Sequence, residues 1–177
     1  MRLRHLVVCA ILLVVTAASA QRKRDPLTPP EIDQLRDTAM EPELRLKLYV
    51  KFARARLTSL EQMRSDPKTT DRARRTHDGL EDFMSVYDEL NDNIDMYVDR
   101  KDDVRKPLKS VIEADTEFQA KLRALKSAGN ATPAEVKEYQ FVLSNAIETL
   151  DASAEDHRRL MAEQEEAAKH KKKAKNQ

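Results

Sequence analysis

The residues best equipped for chemistry in this chain are few, and their spacing withholds most reactions. There are four histidines, His5, His77, His157 and His170, and one cysteine, Cys9. A two-metal centre bridged by carboxylates in a helical protein asks for Glu-x-x-His on two separate helices. The residues three before His77 and His157 are Arg74 and Ala154, so neither site fits. His77 and Glu81 lie four apart, as do Asp78 and Asp82, and each pair can share a helix face. Such pairs are common by chance on a charged helix. A metal-binding bundle is therefore the third-ranked alternative, and no metal ligand is assigned. No G-x-S-x-G, no H-E-x-x-H and no phosphate-cradling glycine loop occurs, and Gly79 and Gly129 are the only glycines. The sequence predicts a protein that is not an enzyme, with no catalytic residue and no cofactor, and a partly exposed structural histidine is the reading preferred over a metal site.

Two runs of charge remain as candidate contact surfaces. Asp78, Asp82, Asp88, Glu89, Asp92, Asp95 and Asp99 recur at steps that place much of the set along one side of a helix. Asn91-Asp92-Asn93-Ile94-Asp95 lacks the glycine and the distant glutamate of a calcium loop. A solvated face is the simpler reading, and a docking strip for a basic partner, centred on Asp88, Asp92, Asp95 and Asp99, is the functional one. The second run is the lysine-rich end, with Lys169, Lys171, Lys172, Lys173 and Lys175. It is read as a solubilising tail that could make weak contact with an anionic surface through Lys171, Lys172 and Lys173. Without interleaved aromatics for base stacking it does not predict nucleic-acid binding.

The first twenty residues give an address. Met1 to His5 is a basic head, Leu6 to Val15 an unbroken apolar run, and Ala18 and Ala20 frame an A-x-A site before Gln21. These are the three parts of a cleaved secretory signal peptide. The run is shorter than the roughly 20 apolar residues of a membrane span. Removing the leader takes Arg2, Arg4 and Cys9, which leaves a net charge of −1 and no cysteine. Disulfides, thiol chemistry and cysteine-bound metals are thereby excluded from the mature chain. Export implies a periplasmic or extracellular location.

The elements that must position these side chains are helices. Charged residues make up 36% of the chain and there is no tryptophan. Such a mix of Ala, Glu, Lys, Leu and Arg suits long amphipathic helices. Thr28-Pro29-Pro30-Glu31 reads as a capping box that starts a short helix, which Pro42 ends. A second helix runs from Pro42 to about Ser65 and, with its broad apolar face, should be the most buried. Thr70-Asp71 caps a third to about Arg100. A fourth spans about Pro107 to Ala128, with Asp115 a polar intruder on its apolar face and Gly129 as its left-handed stop. Thr132-Pro133-Ala134-Glu135 repeats the capping pattern and opens a last helix, which should fray after Gln164. The predicted fold is all-α: an antiparallel up-down four-helix bundle with a short extra N-terminal helix, after a cleaved signal peptide. Its divisions are a signal peptide at 1–20, a flexible segment at 21–27, a helical bundle domain at 28–168 and a disordered Lys-rich tail at 169–177. Pairs such as Glu43/Lys47, Asp71/Arg75, Glu117/Lys121 and Glu155/Arg159 should stabilise the outer faces by a few tenths of a kcal/mol each.

Leu27-Thr28-Pro29-Pro30-Glu31 and Leu57-Thr58-Ser59-Leu60-Glu61 resemble the Leu-Thr-x-x-Gln motifs of the periplasmic Spy/CpxP stress proteins, with glutamate where that family has glutamine. The resemblance implies a chaperone-like or stress-binding module of the envelope. The leading expectation from the residues themselves is an exported, non-enzymatic helical protein with a structural or protein-interaction role in the envelope. Its partner is an unknown protein or a second copy of itself.

Overall fold

A computed structural model describes residues 25–175, with side chains to Ala174, so the signal peptide expected at 1–20 lies outside the described residues. Among the described residues the chain is all-helical and has no strand. Five helices follow one another: α1 (Pro29–Asp37), α2 (Pro42–Ser65), α3 (Arg72–Asp99), α4 (Arg105–Ser127) and α5 (Pro133–Lys175). Prolines stand at the first turns of α1, α2 and α5, where the missing N–H breaks no helical bond.

The helices pack in an order that the chain sequence does not suggest. α2 lies against α3 and α4, and α5 lies against α3 and α4. Cross-helix hydrogen bonds set the directions. Arg45–Asn93 and Arg64–Thr76 make α2 and α3 antiparallel, and Gln119–Asp151 and Asp115–His157 do the same for α4 and α5. Arg54–Glu117 and Lys121–Glu61 make α2 and α4 parallel, as Arg72–Glu135 and Asn91–Ser153 do for α3 and α5. Consecutive helices α2 and α3, and α4 and α5, are thus antiparallel neighbours, while α3 and α4 are not packed side by side. The short α3–α4 corner crosses the bundle, and α3 and α4 meet only by side chains in the core.

The corner explains how this is done. α3 ends in a Schellman motif, with Asp102 N–H bonded to the Tyr97 carbonyl and Lys101 N–H to that of Val98. Lys101 takes the left-handed conformation there, φ 64°, in place of the usual glycine. Gly129, expected to be such a stop after α4, has no positive φ. α4 ends instead through an extended Ala128. Asp71 is also left-handed, φ 51°, and makes no side-chain cap, contrary to the expected capping of α3.

The core is a column of large side chains. Tyr87, Tyr97, Phe83, Phe118, Leu80, Leu90, Leu108 and Leu122 are all sealed from solvent. Eleven of α3's 28 residues are buried against eight of α2's 24, so α3 and not α2 is the more buried. α3 has helices on two sides and reaches a third across the core. α5 runs unbroken to Lys175, past the predicted fraying at Gln164 and through the segment expected to be a disordered tail. No proline or glycine interrupts it, its residues are strong helix formers, and cations at a helix C-terminus complement the helix dipole. The pairs expected within one helix are partly redistributed: Glu117 and Lys121 of α4 each reach across to α2, to Arg54 and Glu61.

Candidate functional site

The most concentrated polar chemistry lies inside the bundle. Tyr87 of α3, Asp115 of α4 and His157 of α5 occupy apolar-register positions on three different helices, so their side chains converge. The Tyr87 hydroxyl donates to Asp115 Oδ1 at 2.8 Å, and His157 Nδ1 lies 2.9 Å from Asp115 Oδ2. Phe83 and Phe118 pack edge-to-face beside the network at 5.4 Å, and Tyr87 lies 6.4 Å from Phe118. Burial first, and then the adjacent Asp115 carboxylate, push the Tyr87 phenol far above its usual range, so it stays a donor. Asp115 is 0% exposed and His157 5%, so this histidine is buried, whereas His77 is partly exposed. A Tyr-Asp-His chain can move protons in an open site. Here Tyr87 and Asp115 are sealed from solvent and His157 nearly so, and the three groups act as a hydrogen-bonded clasp on α3, α4 and α5. The sequence did hold a signal: Asp115 falls between Val111 and Phe118, and His157 between Ala154 and Leu160, in the registers reserved for apolar residues.

The two capping boxes serve a second purpose. Glu31 accepts the Thr28 N–H at 2.8 Å and is gripped by Arg56 of α2. Glu135 accepts the Thr132 N–H at 2.8 Å, and Arg72 of α3 binds both its oxygens at 2.8 and 3.1 Å. The hydrogen bonds from Arg72 and then Thr132 pull the Glu135 carboxyl down to about 2. The first Leu-Thr-x-x-Glu motif is thus a start signal for α1 tied to α2. The second lies within α2, where Leu57 and Leu60 are core residues and Glu61 bridges to Lys121.

The outer face of α3 is different in kind. Asp78, Glu81, Ser85, Asp88, Asp92, Asp95 and Asp99 follow alternating steps of three and four, one continuous stripe. All but half-buried Ser85 are exposed. Asp92, Asp95 and Asp99 enter no ion pair among the described residues. At the stripe's start, His77 Nδ1 lies 3.5 Å from Asp78 and 3.8 Å from Glu81. These three ligand atoms lie within 4.8 Å of one another, fewer than the four of a closed zinc site, and both carboxylates are exposed. The structure does not join this stripe to the lysines of α5. Lys171, Lys172 and Lys173 are exposed on the last turns of that helix, and Lys171 adds its field at Asp103 on the α3–α4 corner. Asp103 itself is held at about 2 chiefly by the hydrogen bond from Arg105.

The charges of α3 are mixed with respect to its dipole. Its first turn holds Arg72, Arg74 and Arg75 and no acid, and its last turn holds Asp99 and no base, while the capping residues Asp71 and Arg100 carry the favourable signs. Anions stabilise helix N-termini and cations C-termini, by about 0.3–1 kcal/mol each. Asp95 and Asp99, at the negative end of the helix, are thus the members of the stripe that its dipole does not favour.

Among the described residues, Met40, Leu44, Met96 and Phe141 are large apolar side chains exposed to solvent. Phe141 of α5 is 84% exposed and stands on the rim of a groove of about 470 Å³ between α4 and α5. Sequence reasoning missed it, because Phe141 lies off the apolar stripe that defines the helix. Among the described residues no helix is long and apolar enough to cross a membrane. No protein-family model matches the chain, no curated protein is similar to it, and no solved structure matches it.

Proposed function

We propose that this chain is an exported, non-enzymatic helical protein of the cell envelope that works by surface contact, with the acidic face of α3 meeting a basic partner. The scaffold in this reading is four long helices, α2 to α5, with α1 added and a leader removed after Ala20. The observation that carries it is the exposed acidic stripe of α3, whose Asp92, Asp95 and Asp99 enter no ion pair among the described residues. Like charges at steps of three and four repel one another, a cost better explained by a basic partner than by folding. The sealing of Tyr87, Asp115 and His157 in the core adds support, since the groups most capable of catalysis serve packing. Chemical cross-linking in the native envelope tests the contact. Wild-type protein should give a discrete partner band that the D92K/D95K/D99K variant loses while its circular dichroism is unchanged. Identical bands would overturn the α3 contact, and a protein recovered from the cytosol with Met1 at its N-terminus would overturn export.

A chaperone-like module, as the Spy/CpxP resemblance implies, is the second reading. The observation in its favour is Phe141 beside an apolar groove, a patch that could hold an unfolded segment. Suppression of aggregation of an unfolded client, lost in Phe141→Ser, is the result expected of it.

A further inference from the structure

Lys137, Phe141, Ser144 and Glu148 lie on one stripe of α5, at steps of four, three and four. Lys137, Phe141 and Glu148 are exposed and Ser144 half-buried. Neither Lys137 nor Glu148 has an ion-pair partner among the described residues. Along the helix the stripe thus reads cation, large aromatic, small hydroxyl, anion. That order complements its own reverse. A second α5 laid antiparallel puts Lys137 opposite Glu148 of the other copy, and Phe141 opposite its Ser144. Both pairs share one midpoint, between positions 142 and 143, so a single twofold axis satisfies them all. Each contact then occurs twice, with charge meeting opposite charge and a bulky ring meeting a small residue.

The groove supplies the rest of the fit. Leu125 and Val136 are half-buried in its wall and Tyr139 and Leu143 form its floor, with Ser144 at the same margin. A ring crossing above Ser144 of the other copy reaches this groove and leaves solvent. Aromatic anchors that fill a pocket at the centre of an interface carry most of its binding energy.

We infer that a second copy of this chain occupies the α5 face, forming an antiparallel twofold dimer in which each Phe141 inserts over Ser144 of the other copy. The inference deepens the proposed surface-acting role and rests on that reading only in treating the chain as a contact protein. One helix pair and its groove form a small interface, at or below about 1,200 Å², so the dimer should dissociate on dilution.

Sedimentation velocity over a concentration series tests it, using the purified chain and variants checked for unchanged helical content. Wild-type protein should move between monomer and dimer. Phe141→Ser should weaken association by at least about tenfold. Lys137→Glu and Glu148→Lys should each weaken it by about tenfold, because each sets like charges together at two places. The double variant K137E/E148K should return to within about threefold of wild type. A monomer at every concentration overturns the dimer, as does a dimer indifferent to Phe141→Ser or a double variant no better than the singles. A monomer would leave the α3 contact standing, since that is read from cross-links lost in D92K/D95K/D99K.

Discussion

α3 and α5 lie side by side and point the same way, yet their charges run in opposite senses. α5 begins with Glu135 and ends in lysines, the order that its dipole favours. It continues as helix to Lys175, with Glu166 pairing to Lys169 on the way. Between its caps α3 begins with arginines and ends with Asp95 and Asp99, the order its dipole opposes, although the caps Asp71 and Arg100 have the favoured signs. α3 remains helical because its inner face buries Leu80, Phe83, Val86, Tyr87, Leu90 and Ile94. At roughly 1.5–3 kcal/mol per fully buried large side chain, that burial exceeds the dipole penalty several times over. The pair shows two ways of holding a long helix. In α5 the exposed end is supported by local electrostatics, and in α3 the buried face holds the helix whatever its outer charges contribute.

The clasp that joins both helices to α4 should show the largest effect. Asp115→Ala leaves the Tyr87 hydroxyl and His157 buried without their acceptor, and should cost about 3 kcal/mol in urea unfolding. Asp115→Asn, which keeps an acceptor and the shape, should cost less. A loss under about 1 kcal/mol for the alanine variant would mean that the two helices do not depend on the clasp.

Neutralising the end of α3 should act in the other direction. Asp92→Asn, Asp95→Asn and Asp99→Asn together remove like-charge neighbours and an anion at the negative helix end. The expected gain is about 1 kcal/mol, larger at low salt than at high. If the triple variant is less stable, the charge order of α3 is not a burden and the contrast with α5 fails.

The N-terminal tie between the helices should appear in the acid limb of stability. Glu135 is held at about 2 in the folded protein against an ordinary 4.5. A lowered pKa in the fold contributes stability that is present above 4.5 and is lost as pH falls from there towards 2. Glu135→Gln should therefore lower stability at neutral pH and flatten the pH dependence between these values. A profile in which wild type and variant run parallel through this window would show that Arg72 gives Glu135 no advantage in the fold.

The smallest effect belongs to the far end of α5. Gln164 is, among the described residues, the last hydrogen-bonded to the corner, accepting the Val104 N–H at 3.0 Å. Truncation after Glu166 should change the urea midpoint by no more than about 0.5 kcal/mol equivalent, while helical ellipticity falls with the residues removed. A larger loss would mean that this end packs on the bundle and is not held by local electrostatics alone.

Much of the local structure was legible in the residues. Apolar steps of three and four gave the long helices, and Thr28/Glu31 and Thr132/Glu135 marked two starts. Gly79 lies within the helical pattern of α3, where periodicity does not say whether it is a close contact or an exposed position. The fold decides, since a Cβ there would come within 3.2 Å of Leu60 Cδ1. Asp115 stood out as polar in an apolar register, but its partners could not be found, because they lie 28 and 42 positions away on helices whose adjacency the sequence leaves open. Phe141 was passed over because periodicity searches for the buried face and is silent about a lone ring on the opposite one.

By itself the sequence determined the helical character, the proline and threonine starts and the acidic stripe of α3. All three follow from interactions within a few residues along the chain. Only the tertiary structure decided that α4 lies beside α2, that Lys101 makes the turn expected of glycine, that Asp115 clasps Tyr87 and His157, and that Phe141 is left in solvent. These depend on contacts between segments far apart in sequence, where several arrangements satisfy the same local pattern and packing selects among them.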